Sequence, residues 1–267
     1  MRLDLREIPA TIINLPKERK RRAAMTTRMT ALGIPFAFSD GVTDQDGKIR
    51  NAAAAHRNAM AAAGDPPFMI LEDDLEFRRP STVIEDVPED ADVVYLGISS
   101  VGCFPRSSDY TRDLGHRGVP DFVLASAHNA SFARLHSMIS AHAVLFLTRT
   151  AVDRYGQAQQ MAVNRKMPLD VSYAYAMADL TVYAAIDPIF VEDQALQPQQ
   201  KRSDWRAALT TGPLRLAAPG DQRTGRRKRY TIEGEVEEAG EGRLQWRLRS
   251  YTDHRAEGAE EEDGDDD

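Results

Sequence analysis

The chain has 267 residues and a mass of 29.7 kDa, enough for one large domain with a buried core. Hydrophobic residues make up 42% and charged residues 28%, which is typical of folded globular proteins and excludes a disordered or fibrous class. The single cysteine, Cys103, excludes an intramolecular disulfide framework and a cysteine-rich zinc site, and favours a cytoplasmic protein. The apolar runs are short, so we expect neither a secretory leader nor a membrane span.

The net charge of −7 is concentrated at one end of the chain. Residues 253–267 hold nine carboxylates against one arginine, so the remaining residues are together close to neutral. A near-neutral body excludes a nucleic-acid-binding composition. Because a run of like charges repels itself, we expect residues 253–267 to form a disordered acidic tail.

Short apolar runs alternate with helical patterns along most of the chain. Runs that are typical of strands cover residues 8–15, 35–38, 67–75, 92–98 and 142–147. Helices are predicted from a first turn at Pro16 to a cap at Gly33, over residues 51–63, from about residue 150, and over residues 171–180. Strands that alternate with helices form βαβ units, so we expect one α/β domain with a mainly parallel central sheet over residues 1–216.

Beyond this domain the sequence predicts a basic linker over residues 217–229 and a β-hairpin over residues 230–252. Glutamates of the first hairpin strand could face arginines of the second. The linker is either a solvated connector or a local contact with an anionic surface such as phospholipid headgroups. Residues 105–120 are polar and are expected to form a mobile loop.

Three adjacent carboxylates, Glu72, Asp73 and Asp74, end the apolar run that follows Pro67. A buried parallel strand that ends in this way puts them at its carboxyl edge, where open α/β sheets bind ligands. Because the three negative charges repel one another, a divalent cation such as Mn²⁺ or Mg²⁺ would satisfy them and could also hold a diphosphate. In the alternative interpretation, one carboxylate caps the next helix and the others face water.

Two further side chains allow a functional and a structural interpretation. His56 shares a helix face with Met60 and Ala63, so it is either a core histidine or a hydrogen-bonding group of a site. Asp170 follows Pro168 in an apolar context and is either a helix cap or a general base. The first helix begins with a cluster of basic residues, which a solvated face or an anionic ligand would explain.

A set of motifs in chain order resembles glycosyltransferase family 25, the group that includes lipooligosaccharide galactosyltransferases. The motifs are Ile12-Ile13-Asn14-Leu15, a following helix with Arg19 and Arg22, Leu32-Gly33-Ile34-Pro35-Phe36, a helix with His56, Ile70 to Leu75, Asp92 to Gly97, Pro168-Leu169-Asp170, Val191 to Gln194, and Ser203-Asp204. They span roughly three quarters of the chain and are moderately specific only as a set. The chain departs from the family at residues 52–56, where Ala-Ala-Ala-Ala-His replaces a usual Gly-Cys-x-x-Ser-His stretch.

The resemblance implies a GT-A fold and a metal-dependent, inverting transfer of a hexose, with galactose favoured. The donor would be a nucleotide sugar, with a UDP-sugar favoured, and the acceptor a glycan hydroxyl that could be lipid-linked. Applied residue by residue, the resemblance assigns donor contacts to Asn14, Arg19, Arg22, His56 and Asp73, and binding of Mn²⁺ or Mg²⁺ to Glu72 and Asp74. Asp170 is the candidate base for the acceptor hydroxyl.

Two other functions fit the same residues. A degenerate transferase that binds a nucleotide or glycan without turnover is favoured by the alanines at residues 52–55. A Mg²⁺-dependent phosphohydrolase could use the same carboxylates, although it should need further carboxylates from other strand ends, and the sequence shows none with a clear signature. In every case we expect a small-molecule or glycan partner, no nucleic acid, and at most a peripheral membrane contact.

Overall fold

The computed structural model describes residues 1–43, 47–97, 123–138, 140–165, 168–193, 195–196, 230–238 and 244–253. The predicted loop at residues 105–120, the linker at residues 217–229 and the acidic tail after residue 253 lie outside these ranges. The Ser203-Asp204 motif also lies outside them.

Fourteen strands and four α-helices lie in the described ranges. The strands are β1 (Leu3–Asp4), β2 (Ala10–Asn14), β3 (Phe36–Asp40), β4 (Phe68–Glu72), β5 (Leu75–Phe77), β6 (Val83–Ile84), β7 (Val93–Gly97), β8 (Val123–Ala127), β9 (Phe132–Met138), β10 (Ala143–Phe146), β11 (Val182–Ala185), β12 (Phe190–Glu192), β13 (Tyr230–Glu238) and β14 (Leu244–Asp253). The helices are α1 (Arg19–Leu32), α2 (Lys48–Ala63), α3 (Arg149–Arg165) and α4 (Leu169–Ala176), with 3₁₀ turns at Leu5–Glu7 and Met177–Asp179. None of these helices combines the length and the apolar composition that a membrane span needs.

Eight strands form the central sheet in the order β3-β2-β4-β10-β7-β11-β9-β8. Six of the eight run in one direction, and β9 and β10 run against it. The predicted α/β class with a mainly parallel central sheet is therefore confirmed. Because β10 is antiparallel to β4, with Ala143 opposite Leu71, the beginning of β10 lies at the edge where β4 ends.

The sheet is covered on both faces, which explains why its central strands are apolar along their whole length. On one face, Met69 of β4 belongs to the same apolar cluster as Met25 of α1. On the other face, Phe68 belongs to the same cluster as Tyr155 of α3 and Tyr173 of α4. Helix α1 thus covers one face, and α2, α3 and α4 cover the other.

Helix α1 ends where the sequence predicts and begins later than predicted. Gly33 has a φ of 69° and caps the helix in the left-handed conformation that glycine adopts without strain. The helix begins at Arg19, so the expectation that Pro16 lies in its first turn is wrong. Pro16 instead lies in a separate turn, which is closed by a 2.8 Å hydrogen bond from the Glu18 N–H to the Leu15 carbonyl oxygen.

Two elements in the second half of the chain refine the predicted boundaries. Helix α4 covers Leu169–Ala176 and continues as a 3₁₀ turn, so it is shorter than the predicted helix over residues 171–180. Strands β13 and β14 pair antiparallel. Glu235 lies opposite Arg247, as expected, but Glu233 lies opposite Ser250 and Glu237 opposite Gln245. The domain boundaries near residues 216, 229 and 252 stay predictions.

Gly97, the last residue of β7, lies where two other segments approach closely. A Cβ atom at this position would collide with the carbonyl oxygen of Phe190 and would lie 3.3 Å from Cδ2 of His142. Glycine therefore allows the backbone of β12 and the ring of His142 to pack against the end of β7.

We expect Gly97→Ala to lower the free energy of unfolding by about 1–3 kcal/mol, because β12 or His142 has to move to accommodate the methyl group. Gly156→Ala in α3 is the matched control, since nothing lies within 4 Å of a Cβ atom there. That substitution should raise the free energy of unfolding by about 1 kcal/mol through helix propensity. Urea denaturation measures both, and equal shifts in the same direction would contradict the close approach at Gly97.

Candidate functional site

The three adjacent carboxylates lie at the carboxyl end of β4. The strand ends at Glu72, Asp73 and Asp74 form the turn that follows, and β5 begins at Leu75. Asp73 and Asp74 are buried, and Glu72 is half-buried. Because a buried carboxylate is costly unless it is paired, the neighbours of these three residues determine what the site can do.

Asp73 is held from two sides by residues of β2 and α1. Its Oδ2 accepts a hydrogen bond from Asn14 Nδ2 at 2.6 Å, and its Oδ1 accepts one from Arg21 Nη1 at 3.0 Å. Burial raises the pKa of the Asp73 carboxyl above its ordinary value, and the hydrogen bonds from Asn14 and Arg21 only partly offset this. A nucleotide-sugar donor that contacts Asp73, as the resemblance implies, would have to share one of these oxygens, each of which has two lone pairs.

Arg21 of α1 contacts both buried carboxylates. Its Nη1 also lies 3.4 Å from Asp74 Oδ2. Partial burial acts to lower the pKa of Arg21, but Asp73 and Asp74 outweigh this and raise it. The helical period contains the signal for this residue, because Arg21 is four positions before the buried Met25 and therefore lies on the helix face that meets the sheet.

Arg19 and Arg22, the residues assigned to the donor from the sequence, lie elsewhere on α1. Arg19 is exposed. Arg22 places its guanidinium carbon 4.2 Å from the centroid of the Phe38 ring and its Nη1 3.9 Å from Asp40 Oδ1. Their donor contacts stay predictions.

Glu72 lies between two buried histidines. Its Oε2 is 3.8 Å from His142 Nδ1, and its Oε1 is 3.9 Å from His56 Nε2. Burial acts to raise the pKa of Glu72, but His142 and His56 outweigh it and hold the pKa well below its ordinary value. Burial likewise acts to lower the pKa of His142, but Glu72 and Asp74 outweigh it and raise the pKa above its ordinary value.

His142 was not identified from the sequence, and the reversed direction of β10 is the reason for its position. It directly precedes β10, and its carbonyl oxygen accepts a 3.1 Å hydrogen bond from the Glu72 N–H. Its side chain is 1% exposed, and neither ring nitrogen has a hydrogen-bond partner among the described residues. Buried polar groups without such partners are rare, so this imidazole is available to a ligand.

Glu72, Asp74 and His142 together form a possible metal site. Each offers one ligand atom, and these atoms all lie within 4.8 Å of one another. Ligand atoms of a single divalent ion lie roughly 3–4 Å apart, so modest side-chain rotations would bring the three atoms to bonding distance. The cluster contains both predicted metal ligands, Glu72 and Asp74, and adds an imidazole.

The segment that follows β12 closes one side of the site. The Asp193 N–H donates a 2.7 Å hydrogen bond to the Asp74 carbonyl oxygen, and the Asp193 carboxylate pairs with Arg28 of α1. Arg28 also donates to the Leu75 carbonyl oxygen at 2.6 Å. Burial acts to raise the pKa of Asp193, but Arg28 and the Ala195 N–H outweigh it and lower the pKa. Helix α1 therefore anchors both the carboxylate turn and this segment.

The structure also places the two residues that had two interpretations. His56 is 4% exposed on α2, with Nδ1 toward the core and Nε2 toward Glu72. Asp170 lies in the first turn of α4, where its Oδ1 accepts a 2.9 Å hydrogen bond from the Val171 N–H. This contact satisfies a free amide of the helix start, and the role of Asp170 as a base stays a prediction.

Comparisons with known proteins give only distant matches. No protein-family model matches the chain, and no curated protein matches its sequence. Among solved structures, UDP-glucose pyrophosphorylase complexed with UDP-glucose has a TM-score of 0.38 and 10% identity over 75% of this chain and 76% of that chain. UTP-bound UGPase from Acinetobacter baumannii has a TM-score of 0.30 and 13% identity over 71% of this chain and 62% of that chain. Similarities at this level establish neither a shared fold nor a shared activity.

We expect the stabilising contribution of His142 in the metal-free protein to fall as the pH rises. Because its pKa is raised in the folded state, the contribution is fully present below the ordinary histidine value of about 6.5 and is lost as the pH passes through the raised value. The difference in free energy of unfolding between the wild type and His142→Gln, measured by urea denaturation, should therefore be largest below about pH 6.5 and shrink as the pH rises through the raised value.

A Glu72→Gln background is the control for this experiment. Glu72 makes the largest favourable contribution to the raised pKa of His142. Glu72→Gln should therefore remove most of the pH dependence of the difference in free energy of unfolding that His142→Gln causes. A difference that is constant with pH in the wild-type background would show that the carboxylates do not stabilise the charged ring.

Proposed function

We propose that the chain is a metal-dependent glycosyltransferase with a GT-A-like domain over residues 1–216. It would move a hexose, with galactose favoured, from a nucleotide-sugar donor, with a UDP-sugar favoured, to a glycan hydroxyl with inversion. The observation that carries the proposal is the cluster of Glu72, Asp74 and His142 at the carboxyl end of β4. Ligands of open α/β sheets bind at this edge, and the family 25 motifs agree with it.

The cluster is suited to a divalent ion. Glu72, Asp74 and His142 would hold Mn²⁺ or Mg²⁺, and the bound ion would supply the positive charge that stabilises a departing nucleoside diphosphate. An imidazole among the ligands favours Mn²⁺, because Mg²⁺ prefers oxygen ligands and keeps several waters. The buried imidazole without hydrogen bonds fits this group better than it fits a purely structural role.

The residues beside the cluster define where the donor would bind. Asn14 ends β2, the strand next to β4, and its amide orients Asp73 toward the same edge. Arg21 contacts both Asp73 and Asp74, so it fixes these carboxylates and adds positive charge next to the position of the diphosphate. The nucleoside of the donor would therefore lie over the ends of β2 and β4.

Asp170 is the candidate general base for an inverting transfer. Helix α4 meets α2 where the ring of Tyr173 packs edge-on against His56, with their centroids 5.9 Å apart. Asp170 and Tyr173 both belong to α4, so the candidate base lies on the helix that packs against His56.

The alanines that depart from the family pattern have a structural role. Ala53 and Ala55 are buried, and Ala53 belongs to the apolar cluster between α2 and the sheet. The departure from the family pattern at residues 52–56 favours, as the alternative function, a protein that binds a nucleotide sugar without turnover. Binding and turnover therefore have to be measured separately.

UDP-galactose with Mn²⁺ should raise the melting temperature of the wild type, because a ligand that binds only the folded state stabilises it by mass action. Asp74→Asn should abolish the Mn²⁺-dependent part of this shift, since it removes one charged ligand of the ion. Glu76→Gln is the matched control, because Glu76 lies two residues away and pairs with Arg78. A full Mn²⁺-dependent shift in Asp74→Asn would overturn the metal assignment.

The same samples separate the alternatives. Release of UDP on addition of a glycan acceptor supports the transferase, and binding of UDP-sugars without hydrolysis or transfer supports the degenerate protein. Release of inorganic phosphate without an acceptor would support a phosphohydrolase. Other nucleotide sugars in the same thermal-shift screen would identify the donor.

Asp170→Asn should lower kcat for transfer about 10²–10⁴-fold with little change in donor affinity or melting temperature. The asparagine keeps an oxygen that can accept the Val171 N–H, but it cannot take the proton of the acceptor hydroxyl. Asp179→Asn, in the 3₁₀ turn that follows α4, is the control, since Asp179 pairs with Arg154. A kcat equal to that of the wild type would show that Asp170 serves only the helix.

A further inference from the structure

A line of polar side chains runs through the core behind Glu72. Gln159 of α3 donates from Nε2 to Tyr173 Oη at 2.8 Å, and Tyr173 Oη lies 3.4 Å from His56 Nδ1. His56 Nε2 in turn faces Glu72 Oε1 at 3.9 Å. Gln159, Tyr173 and His56 are all at most 4% exposed, so the line joins helices α2, α3 and α4 to a candidate metal ligand without contact with solvent.

These polar groups lie in an otherwise apolar environment. The ring centroids of Tyr173 and Tyr155 are 4.5 Å apart, and both residues belong to the apolar cluster that contains Met60 and Phe146. Apolar side chains of similar volume would fill this space without the cost of burying an amide, a hydroxyl and an imidazole. The position of the line, ending at Glu72, indicates a role in the site.

The two ends of the line favour the same tautomer of His56. Because Gln159 donates to Tyr173 Oη, the hydroxyl hydrogen of Tyr173 is available to donate to His56 Nδ1. Nδ1 is then the acceptor nitrogen, and the ring proton is on Nε2. At the other end, the negative charge of Glu72 also favours a hydrogen on the nitrogen that faces it.

We propose that Tyr173 and Gln159 are positioning residues, which hold His56 in the Nε2–H tautomer and thereby orient Glu72 toward Asp74 and His142. The inference rests on the proposed metal-dependent function. In this arrangement His56 supports the candidate metal ligand Glu72 and does not contact the donor. Partners of this kind tune metal sites, and their substitution typically costs 10–100-fold in metal affinity.

The test compares two Tyr→Phe variants of the full chain. Tyr173→Phe keeps the ring but removes the hydroxyl that contacts His56. Tyr155→Phe removes a hydroxyl from the same aromatic cluster, where it bonds instead to Tyr95 Oη at 3.2 Å, and is the matched control. We expect Mn²⁺ affinity, measured by electron paramagnetic resonance of the free ion, to fall about 10–100-fold in Tyr173→Phe and to stay unchanged in Tyr155→Phe.

A second readout reports the tautomer itself in the metal-free protein. Nitrogen-15 spectra of the histidine side chains at mildly alkaline pH should show His56 as Nε2–H in the wild type and in Tyr155→Phe, and as a mixture of tautomers in Tyr173→Phe. Purely structural loosening of the core would not select one nitrogen. Gln159→Met, which keeps the side-chain length without the amide, should have the same effect if Tyr173→Phe does not fold.

The outcomes separate the inference from the function on which it rests. His56 in the Nδ1–H tautomer in the wild type, or equal Mn²⁺ affinity in the wild type and Tyr173→Phe, overturns the inference. A wild type that binds no Mn²⁺ overturns the proposed function. The expected change of tautomer in Tyr173→Phe would still show that Tyr173 fixes the tautomer of His56.

Discussion

The structure of the site depends on how three adjacent negative charges are accommodated at the end of a buried strand. Two of them, Asp73 and Asp74, are inside the protein, and each contacts Arg21 of α1. The third, Glu72, lies between His56 and His142. Unpaired buried carboxylates cost several kcal/mol. Helix α1, helix α2 and the start of β10 therefore have to lie where Arg21, His56 and His142 reach these carboxylates.

Much of the fold follows from local sequence signals. The apolar run that ends at Glu72 predicts β4, and Gly33 predicts the end of α1, because both depend on residues close in the chain. The mainly parallel sheet follows from the alternation of strands and helices. Strand direction is different: nothing within residues 142–147 shows that β10 runs against β4, because this is decided by tertiary packing.

The candidate site could be predicted only in part, because it too depends on the direction of β10. Glu72 and Asp74 are adjacent in the chain and were found from their charge, whereas His142 joins them only through the reversed strand. The resemblance assigns Arg19 and Arg22 to the donor, and a cluster of basic residues does not by itself show that Arg21 faces the sheet. The helical period resolves this once Met25 is known to be buried.

The charge balance of the site links the proton on His142 to the binding of a metal. In the metal-free protein, three carboxylates face the guanidinium of Arg21 and an imidazole whose pKa is raised by Glu72 and Asp74. When His142 carries a proton, its charge compensates part of the negative charge of Glu72 and Asp74, which lie beside it. A divalent ion needs the neutral imidazole, so it would replace that proton and add the charge that the arginine does not supply. If the proposed ion binds, the same contacts that stabilise the metal-free fold would preorganise its site, and below the raised pKa of His142 its binding would release a proton.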